Sequence, residues 1–408
     1  MNGMTTASGG NISIRDTNNT ILITPSGIDK GSLTSGDICR IGKDGNVSGK
    51  HTPSSEYPFH KAIYNIRPDI NAVIHMHSPA LVSFSIVHRI PDNGVFALPA
   101  IICGTAGYAK YELPGSEELG SKIAGELADK QTMAVIMENH GVVVCGTDIQ
   151  DACNRLEILE LTARILIHAQ VIGKPVYLSN KQIGDYRKFM SRSLPEYIPD
   201  SAGREERLIR RNMCRILQRA CSKDLIAGSC GTMSVRLEDD FLITPSDILR
   251  WDIHPEDIVY IQNGKTEKGK TPDNYVFLHQ EIYKAHKNIH SIILAHPPNL
   301  MAFAVTSDEF NVRTIPESWI FLRDVPRIAY GSQFPGTGTI AGLVSKEIPA
   351  VLIANDSFLV TGDNLFQTYE KLEVAEFSAK SLILSKSLGN FKPINQKQTE
   401  ALKEKFLK

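Results

Sequence analysis

Nothing in this sequence is in large surplus. Its 408 residues carry 44 basic and 45 acidic side chains, a net charge of −1, so no global field favours a nucleic acid or an anionic membrane as partner. No apolar run approaches the ~18 residues that span a bilayer, and the opening MNGMTTASGG has no apolar signal segment. The seven cysteines, Cys39, Cys103, Cys145, Cys153, Cys214, Cys221 and Cys230, are odd in number and form no CxxC. They read as reduced thiols buried as small apolar residues, not as a disulfide framework. The one conspicuous basic run, GREERLIRRNMCRILQRACSK from Gly203, is threaded with apolar positions and reads as a packed helix with a charged outer face. A cytoplasmic, soluble protein is expected, without nucleic-acid or membrane partners.

What is present is a repetition. ASGGNISIRDTNNTILITPSGI from Ala7 is echoed by GSCGTMSVRLEDDFLITPSDIL from Gly228, and TPSSEYPFHKAIY from Thr52 by TPDNYVFLHQEIY from Thr271. AVIHMHSPALVSFS from Ala72 matches SIILAHPPNLMAFA from Ser291, and AVIMENHGVVVCG from Ala134 matches AVLIANDSFLVTG from Ala350. A unit this long is a duplicated domain and not a solenoid repeat. The expected division is a first domain over 1–195, a second over 204–395, a Pro-containing linker over 193–203 and a tail over 396–408. Phe59, Ile63 and Ile66 mark a helix that Pro68 closes, and another is expected from Asp148 as N-cap to Gly173. Alternating strand and helix patterns within each copy predict a layered α/β domain. The first copy begins almost at its first turn, so the helix that opens the second is expected to be absent there.

The stretch NAVIHMHSPA, Asn71 to Ala80, sets His75 and His77 at i and i+2 of a predicted strand, where both side chains face one way. His140, in MENHGVVV, and Glu56, at the head of the first helix, could join them. Three histidines with one position left open suit a catalytic metal. His51, His60, His88 and His168 read as packing or surface residues, although His60 lies one helical turn from Glu56. Three hydroxyl-rich turns, Ser8–Asn11, Thr24–Gly27 and Pro53–Ser55, together suggest an anionic substrate, because turn and helix-start N–H groups favour phosphate or carboxylate.

With those residues in place, GGNIS, LITPSG, PSSEYPFHKAIYNIRPDINAVIHMHS and ENHGVVVCG together resemble the class II aldolase/adducin family over most of residues 7–185. The resemblance implies a three-layer fold, a central and mainly antiparallel sheet flanked by helices, in two tandem copies. It implies that His75, His77 and His140 hold zinc, or another divalent metal, and that Glu56 is the acid/base. Asn11, Gly27, Ser54 and Ser55 would bind the phosphate of a sugar phosphate. Tyr111 would protonate the aldehyde oxygen, lent to the site of a neighbouring subunit. The implied reaction is aldol cleavage or condensation of a phosphorylated ketose through a metal-stabilised enediolate. Epimerase, dehydratase and decarboxylase members share the site type, and adducin-like members are binding proteins without activity. Glu56 favours the aldolase version, since the epimerases typically carry Asp there. Family members typically form fourfold rings, so a homo-oligomer is expected, with a dimer of two-domain chains as one way to imitate such a ring.

The second copy departs from this pattern. Leu294, His296, Asp356 and Tyr275 replace His75, His77, His140 and Glu56, while Thr232, Asp247, Asp273 and Asn274 replace Asn11, Gly27, Ser54 and Ser55. A lone His with an Asp is a poor zinc site, and Asp247 with Asp273 would repel phosphate, so the second domain is expected to be non-catalytic. Direct alignment sets Ser332 opposite Tyr111, with Tyr330 two residues earlier.

Overall fold

A computed structural model describes residues 3–407. They form two compact units, one of residues 1–94 and 98–164, the other of residues 95–97 and 165–408. In the first, β1 (Asn11–Arg15), β2 (Ile21–Ile23), β3 (Cys39–Ile41), β4 (Val47–Ser48), β5 (Ala72–Met76), β6 (Ala106–Ala109), β7 (Ala134–Met137) and β8 (Gly141–Gly146) make one sheet in the order β4-β3-β2-β1-β5-β8-β7-β6. Every pairing is antiparallel except β6 with β7. The central β5 is buried at all five positions. That explains its unbroken apolar run, since a strand covered on both faces loses the polar alternation of a half-exposed one.

The helices are α1 (Tyr57–Ile66), α2 (Pro79–Ile86), α3 (Ala97–Ile102), α4 (Glu117–Glu126) and α5 (Ile149–Ile172). Phe59 and Ile63 of α1 and Leu119 and Ile123 of α4 pack with Val73, Val135 and Val143 in one buried cluster. Beneath it runs a polar seam. Ser13 Oγ lies 2.7 Å from His60 Nδ1 and 2.8 Å from the Tyr64 hydroxyl, all three side chains being buried. The start of α2 is held by Glu160 of α5, whose carboxylate accepts the backbone N–H groups of Ala80 at 3.0 Å and Leu81 at 3.1 Å. A carboxylate there satisfies donors that a helix leaves open and meets the positive end of its dipole.

The second unit repeats the plan with α6 (Asn180–Met190), α7 (Arg204–Ser222), α8 (Val276–Ala285), α9 (Pro298–Ala304), α10 (Pro316–Leu322), α11 (Thr339–Leu343), α12 (Leu365–Ser385) and α13 (Gln396–Phe406). Its strands are β9 (Glu196–Tyr197), β10 (Thr232–Leu237), β11 (Asp240–Ile243), β12 (Val259–Gln262), β13 (Lys265–Glu267), β14 (Ser291–Ala295), β15 (Arg327–Ile328), β16 (Ala350–Ile353) and β17 (Ser357–Gly362), in the order β15-β16-β17-β14-β10-β11-β12-β13-β9. The seam recurs as Ser234, His279 and Tyr283, and the helix cap as Glu376 on Asn299 and Leu300. The mixed α/β fold in two tandem copies is thus as expected.

The contact division falls inside α5, ahead of the expected linker. The reason is that α6 packs in the second unit, where Tyr186 and Phe189 meet Tyr275. Within the 193–203 stretch, Glu196–Tyr197 pairs in parallel with β13, and the tail from Gln396 forms α13 against α10. Glu160→Ala would leave two buried N–H groups without an acceptor. It is expected to cost roughly 2–4 kcal/mol, read as a lowered urea midpoint for the transition that exposes the first unit.

Candidate active site

The first unit gathers four of the expected side chains around one point. β5 carries His75, His77 follows directly after it, and His140 sits in the turn that joins β7 to β8. Their ligand atoms all lie within 4.8 Å of one another. Register explains the convergence, because His75 pairs with Val143 on one side and with Asn11 on the other. Gly141 permits it, since a Cβ there would come within 2.6 Å of the Met76 carbonyl oxygen and 2.9 Å of His77 Cδ2.

Hydrogen bonds then set each nitrogen's role. His75 Nδ1 lies 3.0 Å from the Val142 carbonyl oxygen. A carbonyl can only accept, so Nδ1 carries the proton and Nε2 presents its lone pair to the cluster. That Nε2 stands 3.0 Å from His77 Nε2 and 3.3 Å from Glu56 Oε2, and His140 Nε2 is 3.4 Å from Glu56 Oε1. Burial lowers the pKa of all three imidazoles, well below the ordinary value for His75, and His140 adds to the lowering at His77. Burial raises that of Glu56, against the lowering by its bond from Asn11. Glu56 Oε1 is itself buried with no hydrogen-bond partner among the described residues. Three neutral imidazoles facing a buried carboxylate oxygen make a donor set that fits zinc or a comparable divalent metal.

Asn11, expected at the phosphate, has both ends of its amide engaged in this structure. Its Nδ2 donates to Glu56 Oε2 at 2.7 Å, and its Oδ1 lies 2.5 Å from His60 Nε2. His60 is therefore a site-supporting residue that the sequence reading left among the packing histidines. The chain Tyr64–Ser13–His60–Asn11–Glu56 fixes the carboxylate from behind. Its one sequence signal was the single helical turn between Glu56 and His60. Ser54 is buried, with its Oγ accepting from Glu56 N–H at 3.3 Å, while Ser55 and Gly27 are exposed on turns. Tyr111 stays outside the cluster. It is 56% exposed, and its backbone N–H donates to Glu138.

The corresponding place in the second unit is filled from within. The Tyr275 hydroxyl donates to Asp356 at 2.8 Å, Gln333 Nε2 donates to the same carboxylate at 3.0 Å, and Tyr186 of α6 closes over Tyr275 at 3.4 Å. Asp273 does not stand as a bare repulsive charge, as the sequence suggested. Arg250, fully buried, pairs with it at 3.0 Å and occupies the space in which an anion would be neutralised. The alignment of Ser332 with Tyr111 also needs correction. Tyr108 pairs with Ile136 and Arg327 with Leu352, so the position three residues on is Tyr111 in one unit and Tyr330 in the other. The Tyr330 hydroxyl donates to the Gln182 carbonyl of α6 at 3.2 Å.

The family model described as class II aldolase and adducin N-terminal domain matches residues 1–167 and 211–383. The chain belongs to this family, through both of its copies. It is 33% identical over 190 residues to a 3-oxo-tetronate 4-phosphate decarboxylase of Haemophilus influenzae, covering 45% of this chain and 88% of that protein. It is 37% identical over 172 residues to an L-fuculose phosphate aldolase of Methanocaldococcus jannaschii, covering 41% and 88%. A solved L-fuculose 1-phosphate aldolase shares 30% identity, covering 45% of this chain and 87% of its own, with a TM-score of 0.41. Among the described residues no helix is long and apolar enough to cross a membrane.

Acid should destabilise this protein. Burial holds His60 and His279 down to about 3 and His296 to about 4, whereas an unfolded imidazole titrates near about 6.5. Between those values the unfolded chain binds more protons, so stability falls as pH drops below about 6.5. Asp356, raised to about 6 by burial, acts with the opposite sign, as do Glu56, Glu160 and Asp273, also raised by burial. But His75, His77 and His140 are lowered too, so the imidazoles outnumber the carboxyls. With chelator present, the urea midpoint is expected to fall from pH 7 to pH 5, and a flat or rising midpoint would contradict the assignment. Equilibrium dialysis should give about one divalent ion per chain for the wild type, lost in His77→Ala.

Proposed function

We propose that the first unit is a metal-dependent lyase that breaks a carbon–carbon bond in a phosphorylated sugar or sugar acid, and that the second unit is non-catalytic. The convergence of His75, His77, His140 and Glu56 carries this reading. A divalent cation held by the three imidazoles would act as a Lewis acid, drawing electron density from a carbonyl oxygen of the substrate. The protein's own groups account for the rest. Asn11, set by His60, fixes Glu56 through Oε2 and leaves Oε1 as the atom that gives or takes a proton at carbon. The exposed Ser55 and Gly27 turns, with Ser54 at the entry to α1, are where the substrate phosphate would be received.

Two members of the lyase class fit this site, and they differ in what they ask of Tyr111. Aldol cleavage needs a second acid for the departing aldehyde oxygen, and the candidate, Tyr111, is exposed to solvent in this chain. It would serve only if a homo-oligomer brought the Tyr111 of a neighbouring chain to each site. Decarboxylation of a 3-oxo acid phosphate needs no such group, because carbon dioxide leaves without a proton and Glu56 then protonates the carbon. Relatives of both kinds exist, an aldolase and a decarboxylase. A binding role without activity, as in adducin, is disfavoured by the complete donor set.

The test is a panel of ketose 1-phosphates and 3-oxo acid phosphates, assayed for aldehyde and for carbon dioxide with metal-loaded protein. Glu56→Gln is expected to lower kcat by about 10²–10⁴-fold while keeping the metal. Tyr111→Phe should impair aldehyde release and leave carbon dioxide release intact. Fully loaded protein inert on the whole panel would overturn the lyase reading.

A further inference from the structure

The second unit holds a cavity of about 530 Å³ that is separate from the filled counterpart of the active site. It is lined by Ile289, ahead of β14, by Asp363, after β17, and by Arg323, Lys346, Glu370 and Lys371. The Leu294–His296 positions that answer to the metal ligands lie at the other end of β14.

Arg323 is the anomaly. It ends α10 with φ 56° and ψ −86°, a backbone region that a side chain enters only at a cost. The strand register identifies its counterpart, since Gly104 stands four residues before Tyr108 as Arg323 does before Arg327. Gly104 has φ 61°, so the first unit uses the one residue that takes this turn freely. The second unit keeps the turn and places a guanidinium on it. Packing accounts for little of this. The guanidinium carbon lies 5.7 Å from the Trp319 ring centroid, and Nη1 is buried with no hydrogen-bond partner among the described residues.

Lys371 reaches the same cavity from α12 and donates to the Thr361 carbonyl at 2.8 Å. Its pKa is lowered by burial first and by the charge of Arg323, with Asp363 opposing. Two crowded cations, one with a buried donor to spare, are what an oxyanion would satisfy.

We infer that this cavity binds a compact oxyanion, the phosphate or carboxylate group of a small metabolite, between Arg323 and Lys371. Asp363 and Glu370 fit hydroxyl or ammonium donors on the rest of such a ligand. The site owes nothing to the lyase assignment of the first unit.

The protein has two tryptophans, Trp251 and Trp319, and only Trp319 stacks on Arg323. The test uses full-length, metal-loaded Trp251→Phe protein, titrated with inorganic phosphate and separately with citrate, chloride keeping ionic strength constant. A saturable change in Trp319 fluorescence with either oxyanion is expected, phosphate or citrate naming the class. It should weaken at least about tenfold in Arg323→Gly and in Lys371→Met and persist in Ser54→Ala, which alters only the first unit. Without added oxyanion, Arg323→Gly should melt no lower than its parent, because glycine removes the strain. A parent that responds to neither anion, or an Arg323→Gly protein that responds equally, would overturn the inference. So would an Arg323→Gly protein that melts clearly lower without ligand, since Arg323 would then be a packing residue.

Discussion

The hydrogen bond from His75 Nδ1 to the Val142 carbonyl is where sheet and chemistry meet. It ties a side chain of β5 to the backbone of β8, and so fixes both the ring's orientation and its tautomer. With the proton committed to one nitrogen, the other can only offer a lone pair. His77, His140 and Glu56 are then arranged about that atom, within 4.8 Å for the histidine ligand atoms. The glycine after His140 and the flanking pairing with β1 follow from the same need, to bring three chain segments to one point without side chains between them. A neutral imidazole buried in a sheet is tolerable because its polar atoms are engaged.

Much of this was legible in the sequence. The i, i+2 spacing of His75 and His77 on an apolar strand, and the PSSE turn at the head of a helix, single out three of the four side chains that converge. The α1 and α5 boundaries also followed from Pro68, Asp148 and Gly173. His60 was missed because its partners, Asn11 and Ser13, lie 49 and 47 residues away in sequence, and only the packing of α1 on the sheet brings them together. Arg250 was missed for a similar reason, since it reaches Asp273 across 23 residues. The Ser332 alignment failed through loop length, which direct counting cannot detect but strand register can.

Comparing the copies separates what the fold needs from what the chemistry needs. Ser13–His60–Tyr64 and Ser234–His279–Tyr283 are the same seam, and Glu160 and Glu376 the same helix cap. These persist where the three-histidine cluster has gone, so they belong to the architecture. Asn11 is the branch point. In the first unit it connects the seam to Glu56, whereas in the second Thr232 stands there and His279 Nε2 is left buried without a partner among the described residues. One residue thus joins a structural seam to the Glu56 carboxylate, and its replacement severs them.

The placement of α6 bears on how the chain can be divided. Tyr186 and Phe189 complete an aromatic cluster with Tyr275, Tyr330 and Phe334, although by sequence α6 trails the first copy. A fragment begun at the apparent seam near Ser193 would strip that cluster of its cover and present bare rings to water. A first-copy fragment ended there would carry an amphipathic helix with nothing to pack on. The two repeats of sequence are therefore not the two separable pieces of protein, and any recombination of this chain with a relative has its natural crossing point before α6, not after it.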